Sequence, residues 1–502
     1  MTTIKKALIY SALAVLLLFN APSAKAQIAD LPRSTPEAQG VPSKAIYSLF
    51  DSLMALPRTE IHSIMVIRHG KVIAETYPAP FKPEYKHTMY SCSKTFVGVA
   101  IGLAIADNRL RLSDRIATFF PEALPSEISA ELADMTVRDL LTMTSGIEPD
   151  WNMRNVTTQW LATYLGKKVE KPGSTFRYDS ICTYLLSAIV QKVTGMKLLD
   201  YLQLKIFNDM HITDVAWEIS PEGYNTGGWG LHIQPESLAK FGILLINNGN
   251  WNGKQLIPTQ WVKEMTSSQM KTNGDDYCYQ TWRCDYPGAF RADGALGQYI
   301  LMIPDKDMVV VITECTMING IRQRHLVWDM LLPHVVQGPL PESNEYKTLC
   351  NKTSNYALSA PGGKAKGKCL TACTTINLPD NRLCWKSMKL NQEKDIISAT
   401  ITLTDGASMS MSFGYRKWIT SFTNAKPPYS VGANGRFTGI SPEFSVAGSY
   451  AWTKGSSLQL RIEYTNWVTA VDATLEFNGE KVTITAQENY SKEPFTIIGT
   501  IE

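Results

Sequence analysis

Residues 91–106 have the sequence SCSKTFVGVAIGLAIA, in which a serine stands three residues before a lysine at the start of an apolar run. That run predicts a buried helix, which ends at the Asp107-Asn108 pair. Residues i and i+3 share a helix face, so Ser91 and Lys94 would lie side by side. A serine hydroxyl needs a base within hydrogen-bond reach, and burial lowers the pKa of a lysine towards that of a useful base. This stretch therefore predicts Ser91 as a nucleophile and Lys94 as its base.

The same spacing also occurs at Ser237 and Lys240 and at Ser268 and Lys271, so spacing alone does not identify a nucleophile. We expect both of these pairs on the surface, the first in an amphipathic helix and the second in a polar loop region. The helix after Ser91 is the strongly apolar one. Its amino end would offer N–H groups and a positive dipole where an acyl oxyanion forms.

A second candidate element is Tyr178-Asp179-Ser180, which precedes a predicted helix that starts near Ile181. A tyrosine close to a lysine and a serine hydroxyl can relay protons to a leaving group, and Ser180 can add a hydrogen bond. Taken alone, such a tripeptide more often caps a helix.

Strand patterns on both sides of a helical stretch predict one sheet built from distant segments. Residues 61–77 have the pattern of a β-hairpin, and residues 298–303 and 308–313 have a second strand pair. The stretch from about 111 to 285 is mainly helical and would sit beside the sheet.

The composition changes after Pro339, and 502 residues are too many for one ordinary domain. Residues 361–368 are typical of a flexible, basic linker. Alternating patterns then predict strands at 396–404, 408–415, 457–464 and 481–486. We therefore predict a first domain at 27–338, a linker at 339–370 and a small all-β domain at 371–502.

The N-terminus has the pattern of a secretory signal peptide. Lys5 and Lys6 precede an apolar run, and Ala24-Lys25-Ala26 is a small-x-small cleavage site. The run is short for a membrane span, so an anchor helix is the weaker alternative. We expect residues 1–26 to be removed after Ala26 and the mature chain to be periplasmic or secreted, without a membrane span.

The formal charge of +3 does not indicate a nucleic-acid partner. The predicted signal peptide holds Lys5, Lys6 and Lys25 and no acidic residue, so the mature chain would carry 46 basic and 46 acidic residues. A neutral balance gives no basic footprint for a polyanion.

The nine cysteines fit an oxidising compartment. Local disulfides are the favoured use, with free thiols and a metal site as alternatives. The candidates are Cys278 with Cys284, and the group Cys350, Cys369, Cys373 and Cys384. Cys92, Cys182 and Cys315 look like single core residues. The seven histidines show no metal-binding spacing, and no cofactor or metal is predicted.

Together these motifs resemble the serine β-lactamase and penicillin-binding protein superfamily, in the branch of class C β-lactamases, D-aminopeptidases, esterases and 6-aminohexanoate-dimer hydrolases. The resemblance covers about residues 35 to 337. It rests on these motifs in order: Ser91-Cys92-Ser93-Lys94-Thr95-Phe96, Leu140-Leu141-Thr142-Met143-Thr144-Ser145-Gly146, Tyr178-Asp179-Ser180, Gly227-Gly228-Trp229-Gly230-Leu231, Ala239-Lys240-Phe241-Gly242 and Gly297-Gln298-Tyr299.

The resemblance implies an α+β fold, with an antiparallel sheet flanked by helices and a helical subdomain, followed here by the all-β domain. It implies that Ser91 is acylated, that Lys94 accepts its proton and that Tyr178 passes protons to the leaving group and from water. Ser180, Gly294 and Gln298 would be substrate-binding or oxyanion positions. Trp151, Trp229 and Trp282 fall where this family's cleft is walled, although a core role is favoured for each.

The third motif departs from the family. Relatives place Lys-Thr-Gly or His-Thr-Gly beside the serine, whereas this chain has Arg291-Ala292-Asp293-Gly294. Asp293 would repel a substrate carboxylate unless Arg291 offsets it, while Gly294 would still allow close backbone approach. Peptidase, amidase or esterase activity is therefore favoured over β-lactamase activity.

The sequence thus predicts a secreted serine hydrolase that cleaves an amide, peptide or ester bond of a small-molecule or peptide substrate. The alternative is a catalytically weak or inactive envelope-binding protein with the same fold. In either case the C-terminal domain could associate the protein with the cell envelope.

Overall fold

The computed structural model describes residues 30–318, 320–370, 373–430, 432–441 and 443–502. The predicted signal peptide lies outside the described residues. The helices are α1 (Ser43–Met54), α2 (Ser93–Ala106), α3 (Ala130–Asp134), α4 (Val137–Leu141), α5 (Met153–Val156), α6 (Trp160–Leu165), α7 (Ser180–Thr194), α8 (Leu198–Leu202), α9 (Pro235–Ile246), α10 (Thr259–Met265), α11 (Ile321–Met330) and α12 (Glu345–Asn355).

The strands of the N-terminal domain come from both ends of its sequence. They are β1 (Thr59–Arg68), β2 (Lys71–Thr76), β3 (His87–Thr88), β4 (Val215–Trp217), β5 (Leu231–Ile233), β6 (Asn250–Trp251), β7 (Lys254–Gln255), β8 (Trp282–Arg283), β9 (Phe290–Gly294), β10 (Gln298–Ile303) and β11 (Met308–Thr316). Across the described ranges, six of them form one antiparallel sheet in the order β2-β1-β11-β10-β9-β8. The predicted α+β fold, with one sheet from distant segments, is confirmed.

The central strands of this sheet are buried on both faces. Every residue of β10 and β11 is buried, and alternate side chains of β11 enter different core clusters. Val309 and Val311 belong to the cluster that contains α2 and α9, whereas Val310 and Ile312 pack with α1 and α11. Helices therefore cover both faces, and continuous apolar strands are what such a position requires.

Helix α2 lies inside the N-terminal domain rather than on its surface. From Ser93 to Ala104 every residue is buried. At Gly102 the indole of Trp261 approaches so closely that an added Cβ would lie 2.1 Å from it. Because α2 is surrounded by the core, its sequence is apolar on all faces. The side chains of its first turn are also buried.

The C-terminal domain is a barrel-like all-β unit. Its strands are β12 (Thr374–Asn377), β13 (Trp385–Glu393), β14 (Ile396–Leu403), β15 (Ser408–Tyr415), β16 (Ile419–Thr423), β17 (Phe444–Lys454), β18 (Ser457–Tyr464), β19 (Ala470–Asn478), β20 (Lys481–Glu488) and β21 (Phe495–Ile501). Their order is β15-β14-β13-β12-β21-β20-β19-β18-β17-β16, and a further pairing of β15 with β17 closes the sheet. The predicted all-β domain is therefore confirmed.

The stretch predicted as a linker, 339–370, contains helix α12. Leu349 of α12 is 2% exposed and joins the core cluster of α1 and the sheet. Lys352 donates to both carboxylate oxygens of Asp51 on α1, at 3.2 and 2.9 Å. Leu349, which anchors the helix, is a single apolar residue in a polar sequence. The sequence pattern of 339–370 therefore did not predict a helix that packs on the core.

Residues 31–502 form one compact unit, and the C-terminal domain contacts the first domain through the loop between β16 and β17. We call residues 424–443 the barrel loop. Within it, the Thr438 carbonyl accepts from the Ile219 N–H at 2.8 Å, and Arg436 pairs with Glu218 at 2.6 Å. The Glu218 carboxylate of this ion pair is buried, with a side chain that is 2% exposed.

The expectation of local disulfides is wrong, because all nine cysteines are free thiols. The three expected core residues, Cys92, Cys182 and Cys315, are indeed buried. Cys350 lies on α12, against the first domain, whereas Cys384 directly precedes β13 of the barrel. Cys350 and Cys384, which the sequence placed in one group, therefore lie in different domains. Among the described helices, none combines the length and apolar character needed to cross a membrane.

Replacing Leu349 by alanine should lower the free energy of unfolding by about 2–5 kcal/mol, because it leaves a cavity between α12 and α1. Urea denaturation would measure the loss. Lys347→Ala on the exposed face of the same helix should change stability by no more than about 0.5 kcal/mol. Equal effects of the two variants would show that α12 is a linker segment and not part of the first domain.

Candidate active site

Ser91 lies in a single tight helical turn, Tyr90–Cys92, directly before α2. Tyr90 has a φ of +44°, a conformation that is uncommon for a bulky residue and marks local strain. Its side chain is held by the barrel loop: the hydroxyl is 2.8 Å from the Ser430 hydroxyl, and the ring meets Tyr429 edge-on at 5.9 Å. The turn that presents Ser91 is therefore braced by the C-terminal domain.

Lys94 joins three separate segments at one nitrogen. Its Nζ donates to Ser91 Oγ at 3.0 Å, to Ser180 Oγ at 2.8 Å and to the Gly228 carbonyl at 2.6 Å. The residue is 2% exposed. Burial lowers the pKa of Lys94 to about 7, against the opposing effect of the Asp179 charge. A lysine in this state has a substantial neutral fraction near neutral pH, which its ordinary pKa would not give.

Tyr178 lies on the other side of the Ser91 hydroxyl. Burial raises the pKa of Tyr178, and its hydrogen bond with Ser91 acts in the opposite direction. The Lys94 Nζ is 4.9 Å from the centre of the Tyr178 ring. The centre of the Trp282 ring lies 5.7 Å from the centre of the Tyr178 ring. Tyr178 is therefore a protonated phenol at neutral pH that forms a hydrogen bond with Ser91 and whose ring lies beside the Lys94 amine.

Ser180 is the first residue of α7, and its position follows from the cap before it. Asp179 is the N-cap and accepts from the Ile181 N–H at 2.9 Å. The cap fixes the start of α7, so the Ser180 hydroxyl points at Lys94. The tripeptide both caps a helix and supplies side chains to the site, so the two interpretations of the sequence are compatible.

Gly294 ends strand β9 against the turn that carries Ser91. An added Cβ would lie 2.4 Å from the Met89 carbonyl oxygen and 3.3 Å from the Cys92 nitrogen. Only glycine permits this approach. The end of β9 therefore lies beside the backbone of the Ser91 turn.

Gln298 occupies the sheet and not the cleft. It is fully buried, and its amide donates to the Glu314 carbonyl at 2.7 Å and to the Leu296 carbonyl at 3.2 Å. The Gln298 carbonyl accepts from the Cys92 thiol at 3.2 Å. The residue ties β10 to β11 and to the Ser91 turn, and we do not include its side chain among the groups that contact substrate.

Arg291 offsets the acidic residue of the third motif. Its guanidinium pairs with Asp293 at 2.8 Å and with Asp275 at 2.9 Å, and Arg324 also contacts Asp275 at 3.1 Å. The Arg291 side chain is 6% exposed. Its charge is thus used inside a buried network of two arginines and two aspartates.

The two other Ser-x-x-Lys pairs differ from each other. Ser268 and Lys271 are exposed, as expected, and both contact Asp276 at 2.7 Å. The surface expectation for Ser237 and Lys240 is wrong, since they are 6% and 3% exposed. They lie on α9, which packs on the central sheet.

The three tryptophans and three charged residues differ in how they lie around the candidate active site. Trp229 is 4% exposed and Trp282 is half-buried, whereas the core expectation for Trp151 is wrong because it is 48% exposed. Sequence reasoning missed Arg154, Glu218 and Arg436, which surround Trp229. The Trp-x-x-Arg spacing of Trp151 and Arg154 was the available local signal. Among the described residues, no group of three or more His, Cys, Asp or Glu could hold a metal ion.

Comparison with known proteins decides the family. A family model described as Beta-lactamase matches residues 48–318, more than half of the chain. The chain belongs to the β-lactamase family. It is a serine hydrolase, and the matched region contains Ser91, Lys94 and Tyr178 but not the C-terminal domain.

The chain is similar to the 6-aminohexanoate-dimer hydrolase of Paenarthrobacter ureafaciens, with 24% identity over 51% of this chain and 73% of that protein. An uncharacterized protein of Alkalihalophilus pseudofirmus is 24% identical over 50% of this chain and 82% of its own length. In fold, the chain is similar to a candidate β-lactamase from Bacteroides dorei DSM 17855, with a TM-score of 0.50 and 16% identity over 58% of this chain and 99% of that one.

Replacing Gly294 by alanine should lower kcat/KM by about 10²-fold or more, because the added methyl group pushes β9 away from the Ser91 turn. Steady-state hydrolysis of a p-nitrophenyl ester would measure the loss. Gly274→Ala is the matched control, since the nearest atom to its added Cβ is 4.0 Å away. If Gly294→Ala retains full activity, the end of β9 does not belong to the site.

Proposed function

We propose that the protein cleaves an amide, peptide or ester bond through an acyl-enzyme on Ser91, with Lys94 as the base and Tyr178 as the proton relay. The observation that carries this proposal is the 3.0 Å contact between Lys94 Nζ and Ser91 Oγ, at a lysine whose pKa is lowered to about 7 by burial. A nucleophile beside a base that is oriented by further groups is the geometry that covalent catalysis requires.

In the acylation step, the neutral Lys94 amine takes the proton of Ser91 as Oγ attacks the substrate carbonyl carbon. The carbonyl oxygen becomes an oxyanion, which the backbone N–H groups at the start of α2 and the end of β9 would stabilise. The Tyr178 hydroxyl then donates a proton to the leaving nitrogen or oxygen as the carbonyl bond to it breaks, and Tyr178 recovers a proton from Lys94. The products are a Ser91 ester and the released amine or alcohol.

In the deacylation step, water attacks the ester carbonyl carbon and gives up a proton to the Tyr178–Lys94 pair. The bond to Ser91 Oγ breaks, and Oγ takes that proton back as the free acid leaves. Each proton removed in one step is returned in the other, so the site ends in its starting state.

The two further partners of Lys94 explain why this lysine is suited to the role. Ser180 Oγ and the Gly228 carbonyl hold Nζ on the Ser91 side of the buried pocket. Such orientation lowers the entropic cost of the proton transfer.

The substrate class in this proposal is an amide, peptide or ester rather than a β-lactam. In this chain Arg291 is committed to Asp293 and Asp275, so the third motif presents no spare cation beside Ser91. The likeness to a 6-aminohexanoate-dimer hydrolase supports amide cleavage.

We also propose that the protein is exported, on the basic, apolar and small-residue pattern of residues 1–26. N-terminal sequencing of the exported chain should then begin at Gln27. A chain that retains Lys5 and Lys6 would contradict this.

An active-serine probe should add once to the wild-type protein and not to Ser91→Ala, because Ser91 is the activated hydroxyl. Intact-mass spectrometry would count the adducts. Ser268→Ala, which removes the exposed Ser-x-x-Lys serine, is the matched control and should label like wild type. An unlabelled wild-type protein would contradict the proposal and favour a binding protein without turnover.

The pH dependence of kcat/KM should show an acidic limb near the pKa of about 7 of Lys94, because activity appears as Lys94 loses its proton. Activity should therefore rise with pH through this range and persist until Tyr178 ionises, above its ordinary pKa. Since the Asp179 charge raises the pKa of Lys94, Asp179→Asn should move the limb to lower pH while keeping a capping side chain. A flat profile from about pH 5.5 to 8.5 would contradict Lys94 as the base.

A further inference from the structure

Arg154 is a buried arginine that forms no ion pair within the described parts of the chain. The residue is 3% exposed and lies on the short helix α5. Its guanidinium lies between two indole rings, with centres 4.8 Å away at Trp151 and 4.9 Å away at Trp229. Its Nε donates to the Trp151 carbonyl at 3.1 Å. The Nε is used by the Trp151 carbonyl, so the two terminal nitrogens are the part left to bind a ligand.

Within the described parts of the chain, no carboxylate forms an ion pair with Arg154, and the terminal nitrogens make no hydrogen bond. The nearby acid Glu218 is paired with Arg436 at 2.6 Å. Burial and the charge of Arg436 lower the pKa of Arg154 to about 10, so it is still a cation at neutral pH. A buried cation without a counter-ion is costly to keep in the folded state and is a candidate for function.

Arg154 lies close to the reacting groups. Trp229, which stacks on Arg154, directly follows Gly228, whose carbonyl accepts from Lys94 Nζ at 2.6 Å. The charge of Arg154 also contributes to lowering the pKa of Lys94. An anion bound at Arg154 would therefore lie within the length of a small substrate from Ser91.

The barrel loop holds the segment that carries Arg154. The Asn434 N–H donates to the Arg154 carbonyl at 2.7 Å, and the Asn434 amide donates to the carbonyls of Asn155 and Thr157, each at 3.0 Å. Arg436 lies over the Trp229 ring at 5.6 Å. The C-terminal domain thus fixes α5 and one of the two rings that enclose the guanidinium.

We infer that Arg154 binds a carboxylate at one end of the substrate, and that the barrel loop acts through Asn434 to position it. This inference rests on the proposed function and deepens it: the substrate is an amide or ester that carries an anionic group away from the bond that breaks. A guanidinium binds a carboxylate through two parallel hydrogen bonds, and the terminal nitrogens of Arg154 form none within the described parts of the chain. Arg291 is excluded from this role by its pairs with Asp293 and Asp275.

Matched esters test the inference. Mono-p-nitrophenyl esters of short dicarboxylic acids carry a free carboxylate on the acyl side of the reactive ester. The neutral equivalents keep the p-nitrophenyl ester and have that carboxylate converted to a methyl ester. The acetyl ester of 4-hydroxybenzoate and that of its methyl ester test the leaving-group side. Wild type should prefer the anionic member of at least one pair. Arg154→Gln should remove that preference by raising KM for the anionic ester about 10- to 100-fold more than for the neutral ester. Loss of the Arg154 charge also raises the pKa of Lys94, which changes kcat for both esters alike, so the ratio between the two esters is the readout.

Two further variants separate recognition from folding. Arg154→Lys keeps a cation and should restore part of the preference. Asn434→Ala keeps the Arg154 side chain but removes the amide contacts that position its segment, and it should raise KM for the anionic ester more than for the neutral one. An equal loss for both esters in every variant would overturn the inference and leave Arg154 with a structural role.

A binding measurement distinguishes failure of this inference from failure of the proposed function. In the full-length Ser91→Ala variant, calorimetry with glutarate or adipate should show binding that the added Arg154→Gln change abolishes. Absence of dicarboxylate binding while the wild type hydrolyses neutral esters overturns the carboxylate site alone. Binding without hydrolysis of any ester supports the carboxylate site and overturns the proposed function.

Discussion

The buried amine of Lys94 is the point on which the site depends, because three segments far apart in sequence meet at one nitrogen atom. Ser91 lies in the turn directly before α2, Ser180 begins α7, and Gly228 lies in the loop before β5. An amine that is 2% exposed is stable there only if it is neutral or surrounded by acceptors. The segments satisfy its hydrogen-bonding needs, and the same arrangement makes it a base for Ser91.

The rest of the fold keeps these three segments in position around Lys94. The antiparallel sheet places β9 beside the Ser91 turn, where Gly294 permits a backbone approach that a side chain would block. The strained φ of Tyr90 persists because Ser430 and Tyr429 of the barrel loop hold its side chain. Through the same loop, the C-terminal domain reaches Trp229 and Arg154. The second domain is therefore part of the site's surroundings and not an appended module.

The sequence could predict those parts of the site that are encoded by local spacing. Ser91 lies in the turn directly before α2 and Lys94 in the first turn of α2, three residues apart, and Ser180 follows a capping aspartate, so short motifs were sufficient. The sheet was also predictable, since β1 and β2 have a hairpin pattern and β10 and β11 have strongly apolar runs on either side of a turn. Contacts between distant segments were not predictable. Arg154 meets Asn434 across 280 positions, and the burial of Ser237 and Lys240 depends on how α9 packs.

The cysteine prediction failed for a related reason. Closeness in sequence suggested disulfides, but helix α12 holds Cys350 on the first domain, and the C-terminal group lies around the start of the barrel. The sole anchor of α12 in the core is Leu349, which a polar linker pattern conceals. Where a single buried side chain decides the position of an element, periodicity carries too little information to reveal it.

The pKa of Lys94 is the property on which its role as the base for Ser91 depends, and it can be measured. NMR titration of the full-length protein with 13Cε-labelled lysine, assigned by the signal that Lys94→Met removes, would give it. If Lys94 is the base for Ser91, this signal should titrate near pH 7. A signal that stays protonated until about pH 10, the range of an ordinary lysine, would contradict Lys94 as the base for Ser91.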